Sequence, residues 1–327
     1  MRLAVLVLAA TSVAGQTTRV LHLSQDRNKY QWEELTRDLR DITEVERVSS
    51  DPTLGALSIA GSADAVAAAD WMVRQLDLPP GGPFVGVHEY QLAADDAIRV
   101  LYLNHCGSME SMQFTVTAIH GLISSRHDNT YTAHTNVYNP LNAIIVRGGR
   151  LEVDLAAWLA DQLDQPSGVR GPEPHESQLS DGTVARVFWL TQSQTPQQME
   201  SILIAIRSIA DTQKVFTVPD KRAITMRNIP ERAALAAWIV SILDADGPQH
   251  ETRYRFVLPN DPDDTVRVFY LAKSLTDDEQ TKIAQRARTS AGIGRWWLDP
   301  KLGALILRGA EAQIAAAQRE LEKTMAR

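Results

Sequence analysis

Five of the nine histidine and cysteine residues in this chain, His105, Cys106, His120, His127 and His134, lie between positions 105 and 134. Imidazole and thiolate together form the ligand set of zinc and copper centres. The spacing does not complete such a centre: there is no CxxC, no HExxH and no histidine pair on one helical turn. His127 and His134 sit in the segment "SSRHDNTYTAH", expected to be an exposed loop. His105, Cys106, His127 and His134 stand as the metal-ligand candidates. His105 beside Cys106 invites a thiolate–imidazole reading, but neighbours on a strand point to opposite faces and make a poor catalytic pair. The thiol is expected to be solvent-facing or half-buried.

No G-x-S-x-G, phosphate loop or dinucleotide glycine pattern occurs. "GGRLEVD" at 148–154 only turns a strand into a helix, and Asp263 and Asp264 read as turn residues. No set of nucleophile, base and orienting group assembles. The chain is therefore expected to be no enzyme and to need no cofactor.

The elements that carry these residues repeat four times. "RVLHL" at 19–23, "RVLYL" at 99–103, "RVFWL" at 186–190 and "RVFYL" at 267–271 follow one another at spacings of 80, 87 and 81 residues. A six-residue phrase follows each: "ALSIAG" from Ala56, "AIIVRG" from Ala143, "AITMRN" from Ala223 and "ALILRG" from Ala304. Arginine and phrase are 37 residues apart in units one, three and four, and 44 in unit two, which carries a seven-residue insertion. Eight residues after each strand valine stands a helix-capping residue: Asn28, Ser108, Thr195 or Thr276. With Gln31, Gln198 and Glu279 three residues on, three of the four read as capping boxes.

A unit therefore reads as strand, helix, two strands and helix, with both helices on one face of a short sheet and the phrase as a central strand. The fold class is α+β in four tandem β-α-β-β-α units. The expected boundaries are 16–78, 86–165, 175–245 and 249–327, separated by Pro/Gly-rich joints such as "DLPPGGPFVG". Units two to four carry an extra lead-in strand before the arginine, as in "HEYQLAADDA". Unit one is expected to lack it, because residues 1–15 read as a signal peptide. That segment has one arginine, an apolar run from Leu3 to Ala10, and small residues suited to cleavage after Ala14 or Gly15.

Aromatic residues mark the candidate interaction surfaces. Tyr102, Trp189 and Tyr270 share one position on the second face of the first strand, where unit one has His22. They serve either as a docking surface or as seats covered by neighbouring units. Trp71, Trp158 and Trp238 recur on the second helix and are expected in the core, with Arg319 at that position in unit four. Trp296 and Trp297 adjoin on a strand, so one of them must reach the face away from its own core and offers a docking point.

The formal net charge of −7 and pI near 5.6 argue against bulk attraction to nucleic acid or anionic lipid. A lone cysteine forbids an internal disulfide, which in an exported chain fits a bacterial periplasm.

The stretches "LGALILRGAEAQIAAAQ" and "PLNAIIVRGGRLEVDLAAWLADQLD", with Leu76-Asp77, Leu163-Asp164 and Leu243-Asp244 ending the helices, resemble the small periplasmic N-terminal domains of secretins. The resemblance runs through nearly the whole chain after residue 15. It implies domains that pack side by side, form rings or bind envelope components, and it carries over no catalytic residue. The chain ends at the fourth unit without a secretin pore domain, so it is expected not to be a channel itself. The expectation is an exported, non-enzymatic scaffold or adaptor that works through protein partners or self-association. The alternative is a periplasmic metal- or small-molecule-binding protein that uses unit two.

Overall fold

The computed structural model describes residues 7–13, 16–82, 84, 86–124, 126–127, 130–131, 133–172, 175–245 and 254–325. Unit one consists of β1 (Val7–Val13), β2 (Gln16–His22), α1 (Lys29–Thr43), β3 (Arg47–Asp51), β4 (Ala56–Gly61) and α2 (Ala63–Leu76). Unit two runs β5 (His88–Ala93), β6 (Asp96–Tyr102), α3 (Met109–Ile123), β7 (Arg126–His127), β8 (Thr130–Tyr131), β9 (Ala133–Tyr138), β10 (Ala143–Gly148) and α4 (Arg150–Leu163). Unit three comprises β11 (Glu176–Gln178), β12 (Val184–Trp189), α5 (Pro196–Ala210), β13 (Val215–Val218), β14 (Ala223–Asn228) and α6 (Pro230–Leu243). Unit four is β15 (Tyr254–Leu258), β16 (Asp261–Tyr270), α7 (Asp277–Ala291), β17 (Arg295–Asp299), β18 (Ala304–Ala310) and α8 (Glu311–Met325).

Each unit forms one antiparallel sheet with the same order: lead-in strand, arginine strand, phrase strand, remaining strand. The phrase strand is central in all four, as its two-sided apolar pattern requires. Two expectations are corrected. Unit one does have a fourth strand, because β1 pairs antiparallel with β2 in the place of the lead-in. The insertion in unit two closes as the small β7–β8 hairpin instead of an open loop.

The helix starts follow the sequence. Asn28, Thr195 and Thr276 close full capping boxes, while Ser108 accepts from Ser111 N–H without the return bond. A second recurring device was not read from the sequence. The residue before each phrase, Gly55, Asn142, Arg222 or Gly303, has a φ of 60°, 49°, 51° or 65°. That left-handed turn aims its carbonyl at the arginine strand, where it accepts from Leu23, Leu103, Leu190 or Leu271 N–H at 2.7–2.8 Å. At Gly303 a Cβ would meet the Leu271 carbonyl oxygen at 2.9 Å.

The units associate in pairs, residues 1–172 and 173–327, each a compact body. In the first pair, Trp32, Leu35 and Leu39 of α1 and Met72 of α2 share one core with Val100, Tyr138, Ala143 and Ile145 of unit two. In the second, Ile202 and Ile206 of α5 and Ile239 of α6 share a core with Val266, Val268, Trp297 and Ile306 of unit four. The helix layer of one unit thus lies on the free sheet face of the next. Sheet four is buried on both faces, because Leu305, Leu307, Phe269 and Ile314 form a separate core with its own helices.

Arg222 is the one left-handed position of the four without glycine or asparagine, and a left-handed L-residue costs about 1–2 kcal/mol. Allowing for the extra freedom of glycine in the unfolded chain, Arg222→Gly should raise stability by about 0.5–1 kcal/mol in chemical denaturation. The same change at Asn142 should gain less.

Candidate functional site

The polar chemistry of each pair gathers at the seam between its units. The fifth residue of the phrase is arginine in units two, three and four, and Ala60 in unit one. Arg308 Nε lies 3.0 Å from both carboxylate oxygens of Asp264, and Nη1 donates to the Ile209 carbonyl at the end of α5, at 2.6 Å. Arg147 does the same in the first pair. It binds the Asp96 carboxylate at 2.9 Å and donates to the Ile42 carbonyl at the end of α1, at 2.8 Å. A helix C-terminus has unsatisfied carbonyls and the negative end of the dipole, so a buried guanidinium there satisfies both. Arg227, at the same phrase position in unit three, is also buried and pairs with Asp181 of its own unit at 2.6 Å. In unit one the phrase position holds Ala60 instead. Asp264, expected in a turn, lies on β16 as the acid of this clamp.

Burial pushes the Asp264 carboxyl up, but hydrogen bonds and charge from Arg308 outweigh it and hold the group below the ordinary carboxylate range. The same contest at Asp181, where Thr183 and Arg227 oppose burial, ends at about 2.

Asp38 behaves oppositely. It is fully buried on α1, where Oδ1 accepts from Asn136 of β9 at 3.0 Å and from Arg37, while Oδ2 has no hydrogen-bond partner. Burial drives its pKa up to about 6 against the pull of Arg37 and Asn136. Glu34 beside it accepts from Asn139 N–H and side chain across the seam. Arg27, in a buried ion pair with Asp77 at 3.0 Å, reaches Tyr138 of unit two at 3.1 Å.

The Leu-Asp helix ends have a role as well. Asp77 accepts from Ser24 and Gln25 N–H, Asp164 from Asn104 and His105 N–H, and Asp244 from Thr191, Gln192 and Ser193 N–H. Each carboxylate ties down the loop that leaves the arginine strand.

The metal-ligand candidates do not converge. His105 is exposed, and its ring sits by Asp164. Cys106 is buried instead of half-exposed, with Sγ 3.7 Å from Ser111 Oγ. His134 is exposed on β9; partial burial lowers the pKa of His120, and the nearby His134 acts in the same direction. The side chain of His127 lies outside the described residues. Among the described residues no group of three His, Cys, Asp or Glu side chains is placed to share an ion.

Three of the aromatic candidates, Tyr102, Tyr270 and Trp297, line seams. Tyr102 donates to the Gln75 carbonyl on α2 at 2.8 Å, and Tyr270 packs on the core of unit three. Trp189 is half-buried, with Nε1 3.3 Å from His175 Nδ1. Trp297 is the tryptophan that crosses to the far face, where the helices of unit three cover it. Trp296 stays on its own helix side, partly buried under Arg288. Trp71, Trp158 and Trp238 are half-buried, not core. Trp71 packs on Tyr90 at 5.5 Å and Trp238 on Phe256 at 5.6 Å, each contact reaching the lead-in strand of the following unit. Arg319 stands at that position in unit four and is exposed. A cavity of about 410 Å³ opens in unit two at the start of β5, lined by His88, Arg99, Tyr102, Asp161 and Asp164. His88 Nε2 is buried there without a hydrogen-bond partner, and Nδ1 lies 2.8 Å from Gln75 Oε1.

No known family model and no curated protein matches this chain. Among solved structures it is similar to ExeD of Aeromonas hydrophila, a secretin, at 17% identity and a TM-score of 0.19, over 90% of this chain and 59% of that one. It is also similar to an aspartate kinase from Synechocystis, at 11% identity and a TM-score of 0.19, over 94% of this chain and 54% of that one. The chain spans little more than half the length of either. At such TM-scores neither likeness bears on what this chain does.

Arg308→Ala should cost about 3–5 kcal/mol of stability, because it leaves the Asp264 carboxylate and a helix-end carbonyl without their cation. Ala60→Arg should change stability by less than about 0.5 kcal/mol, since Ala60 is only half-buried. Asp38 is harder to ionise folded than unfolded, so its contribution to stability improves as pH falls from about 7 towards 4. Asp38→Asn should therefore exceed the parent in stability by about 1–3 kcal/mol at pH 8 and lose that advantage near pH 4, as read by urea melts at both pH values.

Proposed function

We propose that this chain is an exported, non-enzymatic tandem-repeat scaffold or adaptor of the bacterial envelope, which self-associates or docks on a secretion- or pilus-type assembly. The observation that carries the reading is the seam itself. Each pair is fastened by apolar faces and a buried guanidinium on a helix end, a rigid arrangement suited to presenting surfaces. Stacked repeats in general supply extended binding faces. The resemblance of the repeat to secretin N-terminal domains and the signal-like residues 1–15 support an envelope location. No described helix is long and apolar enough to cross a membrane.

The test is the size of the native complex in an envelope extract of the source cells. An assembly much larger than the 36.2 kDa chain is expected. A species at chain mass, or one found only in the cytosol, would contradict the proposal.

The cavity beside His88 favours a second reading, a periplasmic protein that binds a metal or small molecule through unit two. Zinc titration by calorimetry separates the two. The scaffold reading expects no heat at micromolar metal, whereas saturable heat lost in His88→Ala would move the function to the cavity.

A further inference from the structure

The residues that complete the sheet of unit one are those that read as a leader. β1 spans Val7–Val13 and pairs with β2 from Val13 opposite Gln16 to Val7 opposite Leu21. In the other units the corresponding edge is filled by β5, β11 or β15, each joined to its neighbour by a short turn of the same chain. Cleavage after Ala14 or Gly15 would take away β1 alone and leave β2 as the first element of the processed chain. Its outer N–H and C=O groups would then have no strand beside them.

We infer that leader removal opens this edge and that a second copy of the processed chain fills it, β2 pairing antiparallel with β2 across a two-fold axis. The inference rests on the export reading above. Two of the devices that blunt a natural edge are absent from β2: the segment "QTTRVLH" has no proline and no lysine. Its one cation, Arg19, turns inward to Asp70 of α2 at 3.1 Å. The same edge is bared on every copy at the same processing step, and identical edges pairing antiparallel make a closed dimer instead of a fibre. With Thr18 opposite Thr18, Thr17 meets Arg19 and Gln16 meets Val20. Each residue keeps its own face, and arginine never opposes arginine. The result is a six-stranded sheet in the order β3-β4-β2-β2-β4-β3.

The test starts from the exported protein, with its N-terminus fixed by mass spectrometry, in sedimentation across a concentration series. A dimer is expected. A variant blocked in cleavage, which keeps β1, should be a monomer. So should a processed chain with the lead-in hairpin of unit two, residues 88–96, grafted ahead of Gln16, since the graft covers the edge without disturbing the fold. A processed chain that stays monomeric would overturn the inference, and so would a dimer that survives the graft. If the exported protein retains residues 1–15, the export reading fails. The edge is then judged separately on a chain begun at Gln16, where the same dimer and its loss on grafting are required.

Discussion

A guanidinium on the central strand of one unit, bonded to the last carbonyls of a helix in the unit before, is the contact on which each pair depends. Arg308 and Arg147 each join three things: their own phrase strand, an aspartate near the start of the neighbouring arginine strand, and the helix end across the seam. A buried charge of this kind is tolerated only where every donor has an acceptor. The geometry of the three partners is therefore mutually fixed. The apolar surfaces around it provide most of the attraction, and the arginine sets how the layers meet.

The same logic accounts for how the ends differ from the seams. On the free face of sheet one, Thr18, Ser58 and Ala60 stand where sheet four has Val266, Ile306 and Arg308. On the helix layer of unit four, exposed Arg286 and Arg319 stand where unit three has buried Ala205 and half-buried Trp238. These two faces, which no other described unit covers, are more polar than the faces inside the pairs. Asp38 is an exception to tidy pairing. It places a carboxyl inside an apolar seam with one oxygen unsatisfied, so the first pair holds together more firmly when that group is protonated.

Much of the fold was legible because repetition multiplies a weak signal. One Arg-Val strand or one capping box is ambiguous, but four in register fix the unit, its central strand and its helix starts. What stayed hidden depends on partners distant in sequence. Arg147 and Arg308 are visible in the phrase, yet their meaning needs the helix end that each arginine reaches. Trp71 and Trp238 have core-like spacing, and only the fold shows that their rings lie against the next unit. Asp264 looked like a turn former because local sequence carries no trace of a partner at Arg308. The fourth strand of unit one was missed for another reason: an apolar leader and an edge strand have the same composition.

Native-state hydrogen exchange under mild denaturant tests the stacking account most directly. Buried amides of α1 and of β10 should share one opening free energy and one denaturant slope, and those of α5 and β18 should do likewise, because each pair opens as one body. Four separate openings, one for each β-α-β-β-α unit, would contradict it.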